Sequence, residues 1–390
     1  MLPGLVDAHM HLDKAFSLPR VGNVSGTLEE AVRNYSGAAH LFTKEEIKSR
    51  IERSALQAVA YGTTAIRTHL DFHVKAGRDV ALRTIEAALE VKETLAPYLT
   101  LQLFPMCPYN LPSEQGLEVA EEALRMGVDG LGGAPHLSPT PKEDIQAVFR
   151  LADRYDCPVD LHTDESDDPG VRTLSYIAEA TRAYGYAGRV TVGHLCSLAA
   201  MPDADAAALI GEMAEAGLKA VTLPGANMYL QGRHDGFPAR RGVTRIKEIL
   251  AAGVPLATAS DNIHDPFHPF GRGDLIQIGL VTAYAAHMGV PADLRTPLRM
   301  MTEHPAKLLG LERYGIEVGA PADALLVDAA TPEELFTLVP ERRWVCRAGS
   351  WLRTAPPRGT WQDGRLAALW EAAMQAVPFE PQSAEAVKEA

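Results

Sequence analysis

Short apolar segments alternate along the chain with longer segments whose apolar residues recur at helical spacing. This alternation is typical of strand–helix units on a parallel sheet. The predicted strands are Gly4–His9, Thr64–His69, Leu99–Phe104, Gly130–Ala134, Pro158–His162, Arg189–His194, Leu218–Leu223 and Pro255–Ser260. The predicted helices, rich in Ala, Leu, Glu and Arg, include 44–61, 80–96, 116–126 and 204–216. Eight such units predict a (βα)8 TIM barrel of the α/β class.

An open, doubly wound sheet is the alternative for any such alternation. A GxGxxG or GxxxxGK[ST] phosphate loop would favour that fold, and the chain has neither. The glycine-rich stretch Gly130-Leu131-Gly132-Gly133 matches neither motif.

The pattern changes after Leu311, where short β-prone runs occur at 324–327 and 343–347 and a helical segment begins near Asp363. We therefore expect a barrel over residues 1–311, a small β appendage that forms part of a β-sandwich over 312–360, and a C-terminal helix with a disordered tail over 361–390.

Composition narrows the functions that are possible. The 390 residues carry a net charge of −13, which argues against nucleic acid or an anionic membrane as a partner. Four dispersed cysteines form no CxxC pair, so we expect neither a disulfide framework nor a thiolate zinc site. With no signal-peptide pattern and no apolar run long enough for a bilayer, we expect a cytoplasmic protein.

Histidines and one aspartate fall at the carboxyl ends of predicted strands. His9 and His11 are two apart, so both imidazoles can face one point inside the barrel mouth, where barrel active sites lie. His162, His194 and Asp261 end three further strands. A catalytic divalent cation needs three or four nitrogen and oxygen ligands. We predict His9, His11, His162 and Asp261 as ligands, which leaves His194 to contact the metal water or the substrate.

An acid/base residue is expected beside such a metal, because the ion makes hydroxide available at neutral pH. Glu165 lies three residues after His162 and is placed to move a proton from that water to a substrate nitrogen.

Eight pieces of the chain together resemble the amidohydrolase superfamily, and within it the cytosine deaminase-like group. They are LPGLVDAHMHLDK, SGTLEEA, AIRTHLDFH, GGAPH, DLHTDESDD, RVTVGHLCSLAAM, YLQGRHDGFPARRGVTRIKEIL and ASDNIHDPFHPFGRGD, in the family's order from residue 3 to about 274. The most specific are HxDE after the fifth strand and the LQGR and DPF segments.

The resemblance implies one Zn²⁺ or Fe²⁺ on His9, His11, His162 and Asp261. It also implies that metal hydroxide attacks the amino-bearing carbon of a cyclic amidine, that Glu165 protonates the ring nitrogen, and that Asp261 helps to move a proton to departing ammonia. His194 contacts the hydroxide. Gln231 matches a loop near the mouth, where it either contacts substrate or shapes the barrel, and His136 is a second possible substrate contact.

Three departures from that group concern the substrate. No glutamine stands within 106–110, where the group reads the pyrimidine edge; Asn262 replaces a second aspartate, and Phe267 replaces a tryptophan. Changed polar groups predict a changed ring. Creatinine, isocytosine-like rings and amino-triazines therefore join cytosine as possible small-molecule substrates.

Members of the superfamily have an N-terminal stretch that adds strands to the small sandwich, whereas Met1 here lies just before the first strand. We expect that the sequence begins inside a longer protein or that the sandwich is reduced. Unpaired strand edges would then favour a homo-oligomer.

Other functions fit less well. Ring-amide hydrolases of the hydantoinase and dihydroorotase type often use a modified lysine after the fourth strand, where this chain has Gly133-Ala134-Pro135-His136. A non-catalytic ligand-binding barrel has no need of Glu165 beside a metal. Nucleic-acid base deaminases use HxE with PCxxC, and this chain has neither.

Overall fold

The computed structural model describes residues 1–107, 114–290, 292–341, 343–355 and 359–376. Its strands are β1 (Leu2–Pro3), β2 (Leu5–Met10), β3 (Thr63–Leu70), β4 (Thr100–Cys107), β5 (Leu131–Gly133), β6 (Val159–Thr163), β7 (Val190–His194), β8 (Lys219–Thr222), β9 (Leu256–Thr258), β10 (Ala324–Val327), β11 (Arg343–Arg347) and β12 (Ser350–Arg353).

Its helices are α1 (Leu28–Ala38), α2 (Lys44–Ala60), α3 (Arg78–Leu95), α4 (Glu114–Met126), α5 (Pro141–Tyr155), α6 (Thr173–Tyr184), α7 (Asp203–Glu215), α8 (Pro224–Leu230), α9 (Ile246–Ala251), α10 (Leu275–Ala285), α11 (Arg295–Arg299), α12 (Glu303–Leu309), α13 (Pro332–Leu338) and α14 (Gly364–Ala376). Short 3₁₀ turns lie at Ala39–Leu41, Val74–Ala76, Pro135–Leu137 and Cys196–Ala200.

Strands β2 to β9 form one parallel sheet in chain order. The sheet curls until its first and last strands meet at a parallel bridge between Met10 and Asp261, where the Asp261 amide donates to the His9 carbonyl at 2.9 Å. Each of the eight predicted strands overlaps one of these, so the predicted (βα)8 barrel is confirmed. In such a barrel the carboxyl ends of all the strands meet at one rim.

The helices pack apolar side chains against the outside of the barrel. In α5, for example, Ile145, Val148, Phe149 and Ala152 recur at helical spacing and are almost wholly buried. Burying a side chain of that size stabilises the fold by roughly 1.5–3 kcal/mol. This repeated packing gives the rim a rigid base.

A second, antiparallel sheet of order β1-β10-β11-β12 lies beside the barrel. β10 and β11 occupy the two predicted β-prone runs, and Leu325 pairs with Val345 in a small core that also includes Leu5 of β2. The predicted C-terminal helix is present as α14, while the predicted tail at 377–390 lies outside the described residues. The proposed boundaries at residues 311 and 360 stay predictions.

All four cysteines are free and buried. Within the ranges that the structure describes, no helix is long and apolar enough to cross a membrane.

Candidate active site

Three histidines meet where β2, β6 and β7 end. The parallel register sets His162 opposite Gly193 and Thr163 opposite His194. The ring centroid of His162 lies 4.5 Å from that of His9 and 4.9 Å from that of His194. A Cβ atom at Gly193 would stand 3.3 Å from Cε1 of His9, so a larger residue there would crowd the imidazole.

His11 and Asp261 complete the group. Nε2 of His11 lies 3.1 Å from Nε2 of His162 and 3.5 Å from Oδ1 of Asp261. Nε2 of His9 lies 3.7 Å from the same carboxylate oxygen. The structure therefore brings together all four residues predicted to bind a metal, with His194 beside them.

These side chains carry buried polar atoms that no other described group satisfies. The atoms are Nδ1 and Nε2 of His9, Nδ1 of His11, Nδ1 of His162, Nε2 of His194 and both carboxylate oxygens of Asp261. A buried polar atom without a partner costs about 1–3 kcal/mol. One ligand atom from each of His9, His11 and Asp261, or of His9, His162 and His194, lies within 4.8 Å of the others. Imidazole and carboxylate are donors that divalent cations prefer, so this donor set fits a metal.

Electrostatics favour a cation at the same point. Burial lowers the pKa of His9, His11 and His162 well below the ordinary value, so their lone pairs are free to bind a metal. Burial, with the charge of Asp265, raises the pKa of Asp261 well above its ordinary value. A neighbouring cation stabilises the ionised form of such a carboxylate.

Glu165, His194 and Asn227 form a second group next to the first. Oε1 of Glu165 lies 3.3 Å from Nδ1 of His194. Nδ2 of Asn227 donates to that His194 nitrogen at 2.9 Å and lies 3.5 Å from Oε1 of Glu165. Because Nδ1 of His194 accepts, its Nε2 carries the hydrogen. Burial, and then the charge of Asp261, raises the pKa of Glu165 well above its ordinary value, which suits a group that both holds and releases a proton.

The backbone is strained at the carboxyl ends of the strands that carry these side chains. His194 has φ 68°, Asp261 φ 61° and Asp164 φ 50°, all in the left-handed region. Such conformations persist where the surrounding structure enforces them. Asp164, for instance, accepts from the amides of Thr173 and Leu174 at the start of α6. Asp164, within the acidic run after β6, thus anchors a helix rather than facing solvent.

A cavity opens above these groups. Its reactive wall consists of His11, His162, Glu165, His194 and Asp261. The apolar wall includes Leu28, Val32, Tyr35, Met106, Leu137 and Phe267, and the polar groups include Lys14, Asp71, His73 and Asn262. An apolar lining with a few polar and charged groups is typical of a small-molecule site.

The four predicted substrate contacts divide into two pairs. Asn262 and Phe267 line the cavity. Gln231 is buried after α8 and His136 is half-buried in a 3₁₀ turn, and neither belongs to the set of described residues that lines it. Nδ1 of His136 lies 3.2 Å from the carbonyl of His162, so His136 supports the β6 end. Their roles toward substrate stay predictions.

The sequence reasoning missed the contribution of α1 and of Asn227. Helix α1 supplies four of the lining residues, although no helix was predicted there. The signal was present: Thr27 and Glu30 have capping-box spacing, and the Thr27 hydroxyl does accept from the Glu30 amide. Asn227 lies in α8 and contacts both His194 and Glu165. No motif in the sequence around it indicates that contact.

His69 and Asp160 lie one layer beneath the predicted metal ligands. The His69 ring centroid is 4.1 Å from that of His9, and its Nε2 is 3.6 Å from Oδ1 of Asp160. Arg67 donates to the other Asp160 oxygen at 2.7 Å. This layer supports the ligand imidazoles from below.

The chain is similar to known proteins over most of its length. The sequence profile described as "Amidohydrolase family" matches residues 20–368. A pterin deaminase of Rhizobium rhizogenes is 36% identical over 353 residues, covering 89% of this chain and 79% of that protein. An N-isopropylammelide isopropyl amidohydrolase of a Pseudomonas species is 30% identical, covering 88% and 83%. The crystal structure of 5-methylcytosine deaminase from Klebsiella pneumoniae with 5-fluorocytosine superposes with a TM-score of 0.87 at 30% identity, covering 92% and 87%.

Proposed function

The chain belongs to the amidohydrolase family and is a hydrolase of carbon–nitrogen bonds in cyclic compounds, and we propose that it deaminates a small cyclic amidine with the help of one divalent metal. The observation that carries this proposal is the pairing of a buried histidine–aspartate group with Glu165 on one wall of a cavity. Deamination needs both a cation and a proton carrier at the reacting carbon.

The metal would be held by His9, His11, His162 and Asp261. When bound, a divalent cation supplies Lewis acidity and lowers the pKa of water to roughly 7. A donor set of imidazoles and one carboxylate suits zinc and ferrous iron alike, so both ions are to be tested.

The side chains transfer the protons and donate a hydrogen bond to the entering oxygen. Water adds to the amino-bearing ring carbon, and an Oε atom of Glu165 takes one proton from it and gives it to the ring nitrogen. Nε2 of His194 donates a hydrogen bond to the entering oxygen. The carbon–nitrogen bond to the amino group then breaks, Asp261 and Glu165 pass the second water proton to the departing nitrogen, and ammonia leaves. The ring keeps a carbonyl in place of its amino group.

We propose an isocytosine-type ring as the substrate, and pterin as its leading example. Pterin is an isocytosine ring fused to a second aromatic ring, and the relative named a pterin deaminase is 36% identical. The apolar wall from Leu28 and Val32 on α1 across to Leu137 suits the faces of a flat ring system.

An amino-triazine is the second candidate. It is favoured by the 30% identity over 363 residues to the N-isopropylammelide isopropyl amidohydrolase. The buried histidine–aspartate group and Glu165 speak against a purely ligand-binding barrel.

Association and location are further proposals. The small sheet ends in β12, where Ser350 and Trp351 are exposed, and an open edge of this kind favours pairing of two copies. Sedimentation velocity tests the homo-oligomer. A reducing compartment such as the cytoplasm is consistent with four free cysteines.

The experiment is ammonia release by protein loaded separately with Zn²⁺ or Fe²⁺. Pterin, isocytosine, cytosine, creatinine and an amino-triazine are offered at equal concentration, with the metal content of each sample measured. We expect the fastest release from pterin or isocytosine. Release from no ring by a sample that holds one metal per chain would refute the proposed deamination.

A further inference from the structure

One buried cation in the cavity has no part in the reaction described above. The Lys14 side chain is 4% exposed, its Nζ donates to Oδ1 of Asp71 at 3.1 Å, and it lies 4.4 Å from the centre of the Phe267 ring. All three residues line the cavity that also contains Glu165. An ammonium group that is buried beside a binding site is a strong hydrogen-bond donor for a ligand.

The carboxylates around Lys14 decide what kind of ligand it can bind. Burial lowers the pKa of Lys14, but Asp71, Asp13 and Asp265 raise it further, so the group stays an ammonium. Oδ2 of Asp13 accepts from the Asp71 amide at 3.0 Å, which fixes this acidic surround. The positive charge is therefore balanced within the protein. The site offers a donor without a net positive potential, which suits a neutral acceptor better than an anion.

A matching acceptor lines the same cavity. Nδ2 of Asn262 donates to Oδ2 of Asp265 at 2.8 Å, and the other Asp265 oxygen accepts from the amides of Phe267 and His268 at 2.9 and 3.0 Å. Asp265 thus holds the Asn262 amide in one orientation. With its nitrogen engaged, Asn262 has Oδ1 left as the atom that can accept from a ligand.

We propose that Lys14 and Asn262 together read a ring lactam on the substrate. Lys14 donates to the ring carbonyl oxygen, and Oδ1 of Asn262 accepts from the adjacent ring N–H. The inference rests on the proposed deamination and narrows its substrates to amino-oxo rings, such as pterin, in which a lactam adjoins the amino-bearing carbon. A diamino ring presents a donor where Lys14 also donates, and it is rejected for that reason.

The test compares kcat/KM for pterin and for 2,4-diaminopteridine, in which an amino group replaces the ring carbonyl and the adjoining ring nitrogen carries no hydrogen. We expect the wild type to prefer pterin by about 100-fold or more. Lys14→Met should lose roughly 10- to 100-fold on pterin and little on the diamino ring, because only the lactam contact disappears. The preference would then largely vanish, a change that a purely structural role of Lys14 would not produce.

A double variant distinguishes the loss of the substrate contact from a loss of folding. Lys14→Met leaves Asp71 as a buried carboxylate without its partner, whereas Lys14→Met with Asp71→Leu removes both charges. The double variant should recover the thermal midpoint and still lack the preference for pterin. Metal content is measured in each sample, since the predicted ligands are unchanged in both.

The outcomes separate the two proposals. Ammonia from no ring of the wider panel refutes the deamination and this inference with it. Ammonia from other rings but from neither pteridine, or a wild type that prefers the diamino ring, overturns the lactam reading alone. A folded double variant that keeps the preference for pterin shows that Lys14 does not read the carbonyl.

Discussion

Nε2 of His11 lies 3.1 Å from Nε2 of His162, although 151 positions separate the two residues in the chain. Burial holds the pKa of both imidazoles well below the ordinary value, so they are neutral and each has a lone pair to offer. Two neutral ring nitrogens that face each other beside the Asp261 carboxylate are a natural place for a cation.

His162→Ala should therefore lose metal and activity together. Elemental analysis of the purified protein is expected to give clearly less than one metal per chain, with ammonia release at background. His287→Ala, a substitution at an exposed histidine, is the matched control and should retain both. Full metal content in His162→Ala would remove His162 from the ligand set.

Glu165→Gln separates proton transfer from metal binding. The amide keeps the shape of the carboxyl group but cannot carry its proton, so kcat should fall by about 10²- to 10⁴-fold while the metal content stays unchanged. Asp168→Asn, in the same acidic run but exposed, should retain wild-type turnover. If Glu165→Gln is as active as the wild type, another residue moves the proton.

Asn227→Asp tests how His194 is oriented. A carboxylate can only accept, so Nδ1 of His194 would take the hydrogen and Nε2 would lose it. Loss of such a supporting contact typically costs roughly 10- to 100-fold in activity. The ¹⁵N chemical shifts of His194 should report the change of tautomer at unchanged metal content. An unaltered tautomer with wild-type kcat would contradict the role given to Asn227.

Arg343→Met tests the contact between the small sheet and the barrel. Arg343 is wholly buried and donates from both terminal nitrogens to Asp274, at 2.8 and 2.9 Å. Removing the guanidinium leaves the buried Asp274 carboxylate without this ion pair. We expect the free energy of unfolding, measured by urea denaturation, to fall by about 3 kcal/mol. Arg299→Met, which breaks an exposed pair with Glu303, should change the midpoint little. Equal effects of the two variants would rule out a special contribution from burial.

His136 should make stability depend on pH. Burial lowers its pKa from 6.5 to about 4. Between those values the unfolded chain binds a proton that the folded protein does not, so this residue's contribution to stability is lost as pH falls from 6.5 towards 4. The wild type should lose up to about 3 kcal/mol more than His136→Gln over that range. His40→Gln, at an exposed site, is the control, and equal pH slopes for wild type and His136→Gln would refute the effect.

Much of the architecture could be predicted from the chain because its signals are local. Apolar runs of strand length, each followed by a helical segment, predicted the barrel, and the polar residues that end those runs predicted a rim site. His9, His162 and His194 meet for that reason alone: strands in a barrel are parallel, so their carboxyl ends share one rim.

Packing between segments that are distant in the chain sets which further groups reach that rim and how they are oriented. No local pattern around Lys14 indicates its partner, and packing buries Lys14 against Asp71, 57 positions away. Asn227 reaches His194 from a different helix, and Asp265 fixes the Asn262 amide through loop amides. These contacts join segments that are distant in the chain. Their distances, burial and hydrogen-bond directions follow from the closure of the barrel, whereas the strand order and the residue types at the rim could be predicted from local patterns in the chain.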